Sequence, residues 1–299
     1  MTTLTIHKPV MPDEVTGFLC LKKGHSVLDG TVGCGGHASI ILDKIGSSGL
    51  LIGIDQDEKA LDIARQRLSE FKKCYKLVCS NFSNLDKVLL GFGIKYVNAA
   101  LFDLGVSSLQ LEDAARGFSF TKEGLLDMRM DLSSDVRAYD IVNRCKREEL
   151  ERIIRDFGQE RYFRKVASFI VKRRERHPIT STLELSRLIE EAIGGKYRTQ
   201  KIHPATRVFQ GIRIAVNSEL ENIDLALSKL KDFLAPGARL CVISFHSLED
   251  RIVKNKFKAF KSENLGTIIT KKPVRAGSDE VRENPRSRSS KLRVFEKAG

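Results

Sequence analysis

The first third of the chain alternates short apolar runs with amphipathic stretches. Residues 25–29, 50–55, 75–80 and 97–103 have the length and hydrophobicity of buried strands. Helical periodicity lies between them, in residues 38–45 and most clearly in residues 58–71, where Leu61, Ala64 and Leu68 share a face. This βαβαβαβ rhythm predicts a parallel sheet covered by helices on both sides. Asp29, Asp55 and Asp103 close three of the strands, where the chain ends of such a sheet line a ligand crevice.

The rhythm then stops. From residue 112 to about 205 no run reads as a strand, and helical patterns take over at 147–157 and 163–174. A third helix follows a capping box from Ser181 to Glu184 and runs to Ala192. Beyond residue 215 the alternation returns. A helix at 218–234 meets a Pro236-Gly237 stop, a strand follows at 239–244, and a capping box from Ser247 to Asp250 opens another helix. The pattern predicts a discontinuous sheet domain, residues 1–111 and 206–299, interrupted by an all-helical insertion at 112–205.

Composition sharpens this outline. The chain has 299 residues, 41% of them hydrophobic and 30% charged, as in globular proteins. No apolar run approaches the ~18 residues that span a bilayer. The opening MTTLTIHKPVMPDEV has neither the basic start nor the apolar centre of a signal peptide, so a cytoplasmic enzyme is expected. The six cysteines form no Cys-x-x-Cys pair, which argues against a zinc site or a disulfide framework; no metal is expected. The net charge is +13, and it is concentrated. Residues 251–299 carry 14 Lys/Arg against 5 Asp/Glu, and residues 143–176 carry 12 against 6. Two basic segments of this kind suit a polyanion, and without a large apolar face they suit nucleic acid better than a membrane.

The chemistry is carried by DGTVGCGGH, residues 29–37. Gly33-Cys34-Gly35-Gly36-His37-Ala38 satisfies the dinucleotide fingerprint, with Asp55 placed as a ribose-binding acid, so a nicotinamide-dependent oxidoreductase is one reading. Asp29 favours another. Here the strand ends in an acid, and Gly30, Thr31 and Val32 precede the first glycine of the fingerprint. That arrangement resembles the first motif of class I S-adenosylmethionine-dependent methyltransferases. Acids near strand ends complement a cofactor with an ammonium and a sulfonium, and Asp55 can accept both ribose hydroxyls. Helix capping is the structural alternative for both acids.

Longer phrases extend the resemblance over nearly the whole chain: LFDLGVSSLQ at 101–110, RGFSF at 116–120, LDMRMD at 126–131, HPATRVFQGIRIAVNSEL at 203–220, ISFHSLEDRIVK at 243–254 and ENPRSRSSKLR at 283–293. Together they resemble the MraW/RsmH family, the cytosine-N4 methyltransferases of ribosomal small-subunit RNA. The resemblance implies a class I, Rossmann-like α/β sheet with a helical domain inserted after the fourth strand, and an RNA-recognition role for that insert. It implies cofactor contacts at Gly35, Gly36, His37, Asp55, Phe82, Asp103 and Gln110, with Asp103 also orienting the target amine. Substrate contacts are expected at Arg207, Arg213, Asn217, His246 and Arg251, although Glu219 and Glu249 offer local partners to such residues. Ala238 departs from the second glycine common after Pro-Gly in the family. The implied partner is ribosomal RNA or the small ribosomal subunit, and the sequence leaves open which form is methylated and whether the enzyme is a homodimer. A non-catalytic RNA-binding protein and a DNA amino-methyltransferase are the nearer rivals. Leu104-Gly105-Val106 after the fourth strand speaks against the latter.

Overall fold

A computed structural model describes residues 8–71, 73–194 and 202–299; the first seven residues of the stretch read above for a targeting signal lie outside it. The chain divides into two compact units, one of Met1–Gly105 with Leu220–Gly299 and one of Val106–Glu219.

The first unit holds seven strands: β1 (Ser26–Asp29), β2 (Leu50–Asp55), β3 (Tyr75–Cys79), β4 (Val97–Asp103), β5 (Leu234–Ser244), β6 (Gly266–Ile268) and β7 (Lys291–Lys297). They form one sheet in the order β3-β2-β1-β4-β5-β7-β6. The first five pair in parallel, and β7 runs antiparallel to both its neighbours. Helices α1 (Pro12–Leu19), α2 (Gly36–Ile45), α3 (Glu58–Arg67) and α4 (Leu85–Gly91) belong to this unit. So do most of α11 (Glu219–Leu230), then α12 (Ser247–Ser262) and α13 (Ser278–Glu283). The strand alternation sorts side chains into two cores. Leu28, Ile52, Ile54, Ala100, Phe102, Leu240 and Val242 pack on one face, with Leu227 and Phe257 of the covering helices. Val27, Leu51, Ala99, Leu101, Cys241 and Ile243 pack on the other, with Ile41, Leu42 and Ile45 of α2.

Phe102 also dictates the residue after β1. A Cβ on Gly30 would lie 2.3 Å from the ring of Phe102, which is 1% exposed. Only a glycine lets the turn leave the sheet there. Gly30→Ala is therefore expected to cost about 1–3 kcal/mol of overpacking strain, read as a lower urea midpoint at unchanged slope. A wild-type midpoint would contradict the packing described.

Three expectations shift in this unit. The helix expected at 218–234 ends at Leu230, and Pro236-Gly237 is no helix stop: it lies within β5, where the pairing jumps from Val97↔Leu234 to Ala99↔Arg239. Such a bulge accommodates a proline without a ladder bond. The capping box expected from Ser247 to Asp250 sits one residue earlier, from His246 to Glu249. The basic C-terminal segment is folded rather than a tail. Leu292 and Val294 of β7 are buried on one face, while Arg293 is 6% exposed and binds Asp250 through both carboxylate oxygens at 2.6 and 3.3 Å. Burial opposes ionisation of Asp250, but Arg293 and Lys291 outweigh it and hold the carboxyl below its ordinary range.

The second unit contains α5 (Ser108–Glu112), α6 (Ala138–Arg144), α7 (Arg147–Arg152), α8 (Phe163–Arg174), α9 (Thr182–Ile193) and α10 (Pro204–Asn217), with no extended strand among its described residues. The helix expected at 147–157 is present as α7 continuing into a π-helical turn, Ile153–Phe157. α9 starts at Ser181, whose hydroxyl accepts from the Glu184 amide at 3.2 Å. Half the expected box is different: the Glu184 carboxylate accepts from Thr180 N instead of Ser181 N. The apolar faces of α6 to α10 form one core of Ile141, Leu150, Ile154, Val166, Ile170, Leu185, Ile189 and their neighbours. Val106 and Leu111 join it, as do Ala205, Val208, Phe209, Ile212 and Val216 of α10. The boundaries expected at 111/112 and 205/206 therefore move outward to 105/106 and 219/220.

Candidate active site

The site residues of the first unit gather where β1, β2, β3 and β4 end. The turn after β1 runs Gly30 to Gly35, and Gly35 caps α2 in the left-handed region, φ 79°. Gly36 and His37 then open α2. Asp55 ends β2 and ties two loops together: Oδ2 accepts from Gly33 N at 2.9 Å and Oδ1 from Asp57 N at 2.9 Å. Phe82 begins a short 3-10 turn after β3 and meets the edge of Phe102, ring centroids 5.8 Å apart at 79°. Asn81 fixes this turn by accepting from Ser83 N and donating to Gln56 after β2.

Asp29 and Asp55 are not helix caps. The N-cap of α2 is Gly35, and that of α3 is Asp57, which accepts from Lys59 N. Asp29 Oδ1 accepts from Thr31 N at 3.2 Å, and Thr31 Oγ1 accepts from Asp103 N at 2.6 Å. Thr31 thus couples the glycine turn to the end of β4. The sequence reading missed this residue; a hydroxyl between two strand-end acids was the available signal. Asp103, anchored by its backbone, keeps its carboxylate open: Oδ1 is buried without a hydrogen-bond partner, and Oδ2 lies 3.6 Å from His37 Nε2, which also lacks one.

Four acidic or imidazole groups in so small a space affect one another. Burial pushes the Asp29 carboxyl up to about 7; His37 and the Thr31 amide pull it down, while Asp103 and Asp55 add to the rise. Burial likewise raises Asp55 to about 6, opposed mainly by the amides of Asp57 and Gly33. Both folded values lie above the ordinary 3.8, so between about pH 4 and 7 the folded chain holds more protons than the unfolded one. The two groups therefore make the empty protein less stable as pH rises through that window. A cationic ligand reverses the preference by favouring both carboxylates. Its affinity should weaken at least about tenfold from about pH 7.5 to about pH 5, measured by calorimetry. Affinity independent of pH across that range would contradict the assignment.

The remaining expected residues have definite places. In the second unit Gln110 is 4% exposed and closes a capping box with Ser107 at the start of α5. Arg213 makes a two-pronged ion pair with Glu219, both contacts 2.8 Å. Asn217 accepts from Met130 N at 2.7 Å and donates to Met128 O at 2.8 Å, pinning the LDMRMD segment to the end of α10. Arg207 faces buried Glu160 at 3.7 Å and remains 37% exposed. In the first unit His246 caps α12, accepting from Glu249 N, with Nε2 3.1 Å from Glu249 Oε1. Arg251 is exposed on the same helix. The local partners named as alternatives thus engage Arg213 and His246, and leave Arg207 and Arg251 more open.

The model of the MraW methylase family matches residues 4–298. A ribosomal RNA small subunit methyltransferase H of Caldicellulosiruptor saccharolyticus is 47% identical, covering 97% of this chain and 99% of the relative. Proteins of the same name from Pelobacter propionicus and Persephonella marina are each 46% identical over 97% and 96% of this chain, and 98% of theirs. The fold is a seven-stranded mixed α/β sheet covered by helices, and the chain belongs to the MraW methylase family.

Proposed function

We propose that this protein methylates the exocyclic N4 amine of a cytidine in small-subunit ribosomal RNA, with S-adenosylmethionine as donor. The observation that carries the reading is the buried polar cluster at the strand ends. His37 Nε2 and Asp103 Oδ1 are buried and unbonded among the described residues, beside Asp29 and Asp55. A ligand with cationic and hydroxyl groups fits that donor and acceptor set. S-adenosylmethionine supplies, when bound, a methyl group on a sulfonium. Asp55 has lone pairs left for ribose hydroxyls, Phe82 borders the adenine position, and the α2 N-terminus with Gly35, Gly36 and His37 faces a carboxylate. Gln110 is assigned to the cofactor by its place in LFDLGVSSLQ.

Cytosine N4 is a poor nucleophile because its lone pair is delocalised into the ring. The chain must hold the extruded base with N4 about 3–3.5 Å from the methyl carbon and exclude water. Asp103, with a free carboxylate oxygen at the end of β4, accepts an amine hydrogen, turns the nitrogen lone pair towards the methyl carbon, and takes up the proton afterwards. Arg207 and Arg251 are the expected RNA-contacting residues with the most open side chains, and each suits a phosphate. Asn217 and His246 act through the backbone amides they hold, and Arg213 through the Glu219 carboxylate. No helix of the described residues is long and apolar enough to cross a membrane. A ribosomal substrate suits a cytoplasmic enzyme.

Labelled S-adenosylmethionine tests the reading when the protein is incubated with small subunits, large subunits and DNA. Label is expected in small-subunit RNA alone; cofactor binding without transfer to any nucleic acid would favour the non-catalytic rival.

A further inference from the structure

The two basic segments differ in how their charge is used. The C-terminal one commits Arg293 and Lys291 to Asp250, and Arg239 pairs with Glu296, within the sheet. In the segment around the π-helical turn, several cations are also paired, Arg147 with Glu151 and Arg152 with Glu149. At the start of α8 the pattern changes. Among the described residues Arg161, Arg164 and Lys165 are exposed and carry no ion pair.

These three side chains lie over aromatic rings instead. Arg161 sits 4.7 Å from the Tyr162 ring centre, Arg164 5.3 Å from Phe163, and Lys165 5.8 Å from Phe169. Arg155 approaches Phe163 as well, at 5.6 Å, and Arg152 lies 5.2 Å from Phe157. The rings are partly buried against the helical core, so the layer of cations over them has a firm base. α8 has no acidic residue in its first turn. Cations at a helix N-terminus oppose the helix dipole, a local cost that an anion would relieve.

The approach to this layer is held rigidly. A Cβ on Gly211 of α10 would lie 2.8 Å from Gly158 N, so the backbones of α10 and the loop after the π-helical turn touch there. Two residues further, Glu160 accepts from Tyr162 N at 2.9 Å and faces Arg207 at 3.7 Å. π-helical turns often mark functional positions. Here the turn directs the chain into the Arg161–Lys165 ridge.

We infer that the ridge of Arg161, Tyr162, Phe163, Arg164 and Lys165 docks an unpaired stretch of RNA. Unpaired cations take the phosphates without first releasing an acid partner. The guanidinium planes that lie over the rings stack the bases, which only unpaired nucleotides present. This deepens the proposal of an RNA methyltransferase and rests on it.

The test uses the full chain and two fluorescent probes, an unstructured oligouridylate of about 10 nucleotides and an RNA duplex of equal length. The triple variant R161Q/R164Q/K165Q should lower the salt slope for the single strand by about 2, at ~0.7 per lost phosphate contact. Phe163→Leu should weaken single-strand binding about fivefold or more and leave duplex binding unchanged. Circular dichroism and an unchanged thermal midpoint report that each variant is folded. Wild-type slopes in the triple variant, or equal losses on both probes for Phe163→Leu, would overturn the ridge. If those variants also methylate small subunits normally, the enzymatic reading stands without the ridge. A wild-type protein that binds the single strand at the ridge but transfers no methyl group would leave the ridge and remove the reaction.

Discussion

Asp103→Ala is expected to lower the single-turnover rate of methyl transfer at least about 100-fold, the lower range for loss of a positioned acid–base group. The Asp103 amide donates to Thr31 at 2.6 Å, which fixes the residue, while Oδ1 stays buried and unbonded. A buried carboxylate oxygen without a donor is costly unless a ligand completes it. The side chain is 24% exposed, so its removal leaves the apolar packing of β4 intact and the protein folded. Asp103→Asn separates the two roles: its carbonyl still accepts an amine hydrogen, but it takes up no proton. The asparagine variant should therefore fall between wild type and alanine, with cofactor affinity changing much less than turnover. A near-normal single-turnover rate in the alanine variant would contradict the role assigned to Asp103.

The second large effect concerns Asp55. On the proposed reading both ribose hydroxyls would donate to its carboxylate, which puts two charge-assisted bonds of about 1.5–3 kcal/mol each at stake. Asp55→Asn keeps the shape but loses the charge, and cofactor affinity should fall about 100-fold or more, seen by calorimetry. The variant should also lose part of the pH dependence, because the group raised to about 6 is gone. Asparagine keeps an acceptor for only one of the amides of Gly33 and Asp57, so circular dichroism of the variant accompanies the calorimetry to show that it is folded. Affinity within about threefold of wild type would place the ribose elsewhere.

Much of the sheet was legible because its strands are short, apolar and separated by amphipathic helices. β2 and β4 have the ranges expected of them, and α8 coincides with its periodic segment. β7 was hidden by its own composition. In KLRVFEK the charges at Lys291, Arg293 and Glu296 read as part of a basic tail, and the burial of Leu292, Val294 and Phe295 becomes visible only once Asp250 and Glu296 have their partners. Pro236-Gly237 looked like a helix stop because a β-bulge uses the same residues for the same reason, relief from regular hydrogen bonding.

The site divides along similar lines. The glycine turn, Asp55, Phe82 and Asp103 are local motifs at strand ends, and the fold brings their strand ends side by side in one sheet. Thr31 was only faintly legible, since its hydroxyl acts on a residue 72 positions away. His246 drew attention for its chemistry, yet its ring caps α12; a histidine can accept a helix amide where serine was expected to. Arg213 and Asn217 stand in a phrase specific enough to suggest substrate, but their partners Glu219 and Met130 lie within the same unit. Motif membership locates such residues without saying which face the ligand and which face the chain.

The most direct test of the account is the identity of the methylated nucleoside. Small subunits from a strain lacking this enzyme are incubated with the protein and labelled S-adenosylmethionine, and the RNA is digested and separated. The account predicts label in N4-methylcytidine, abolished by Asp103→Ala. Label in any other nucleoside would contradict the assignment of the amine and of the carboxylate that orients it.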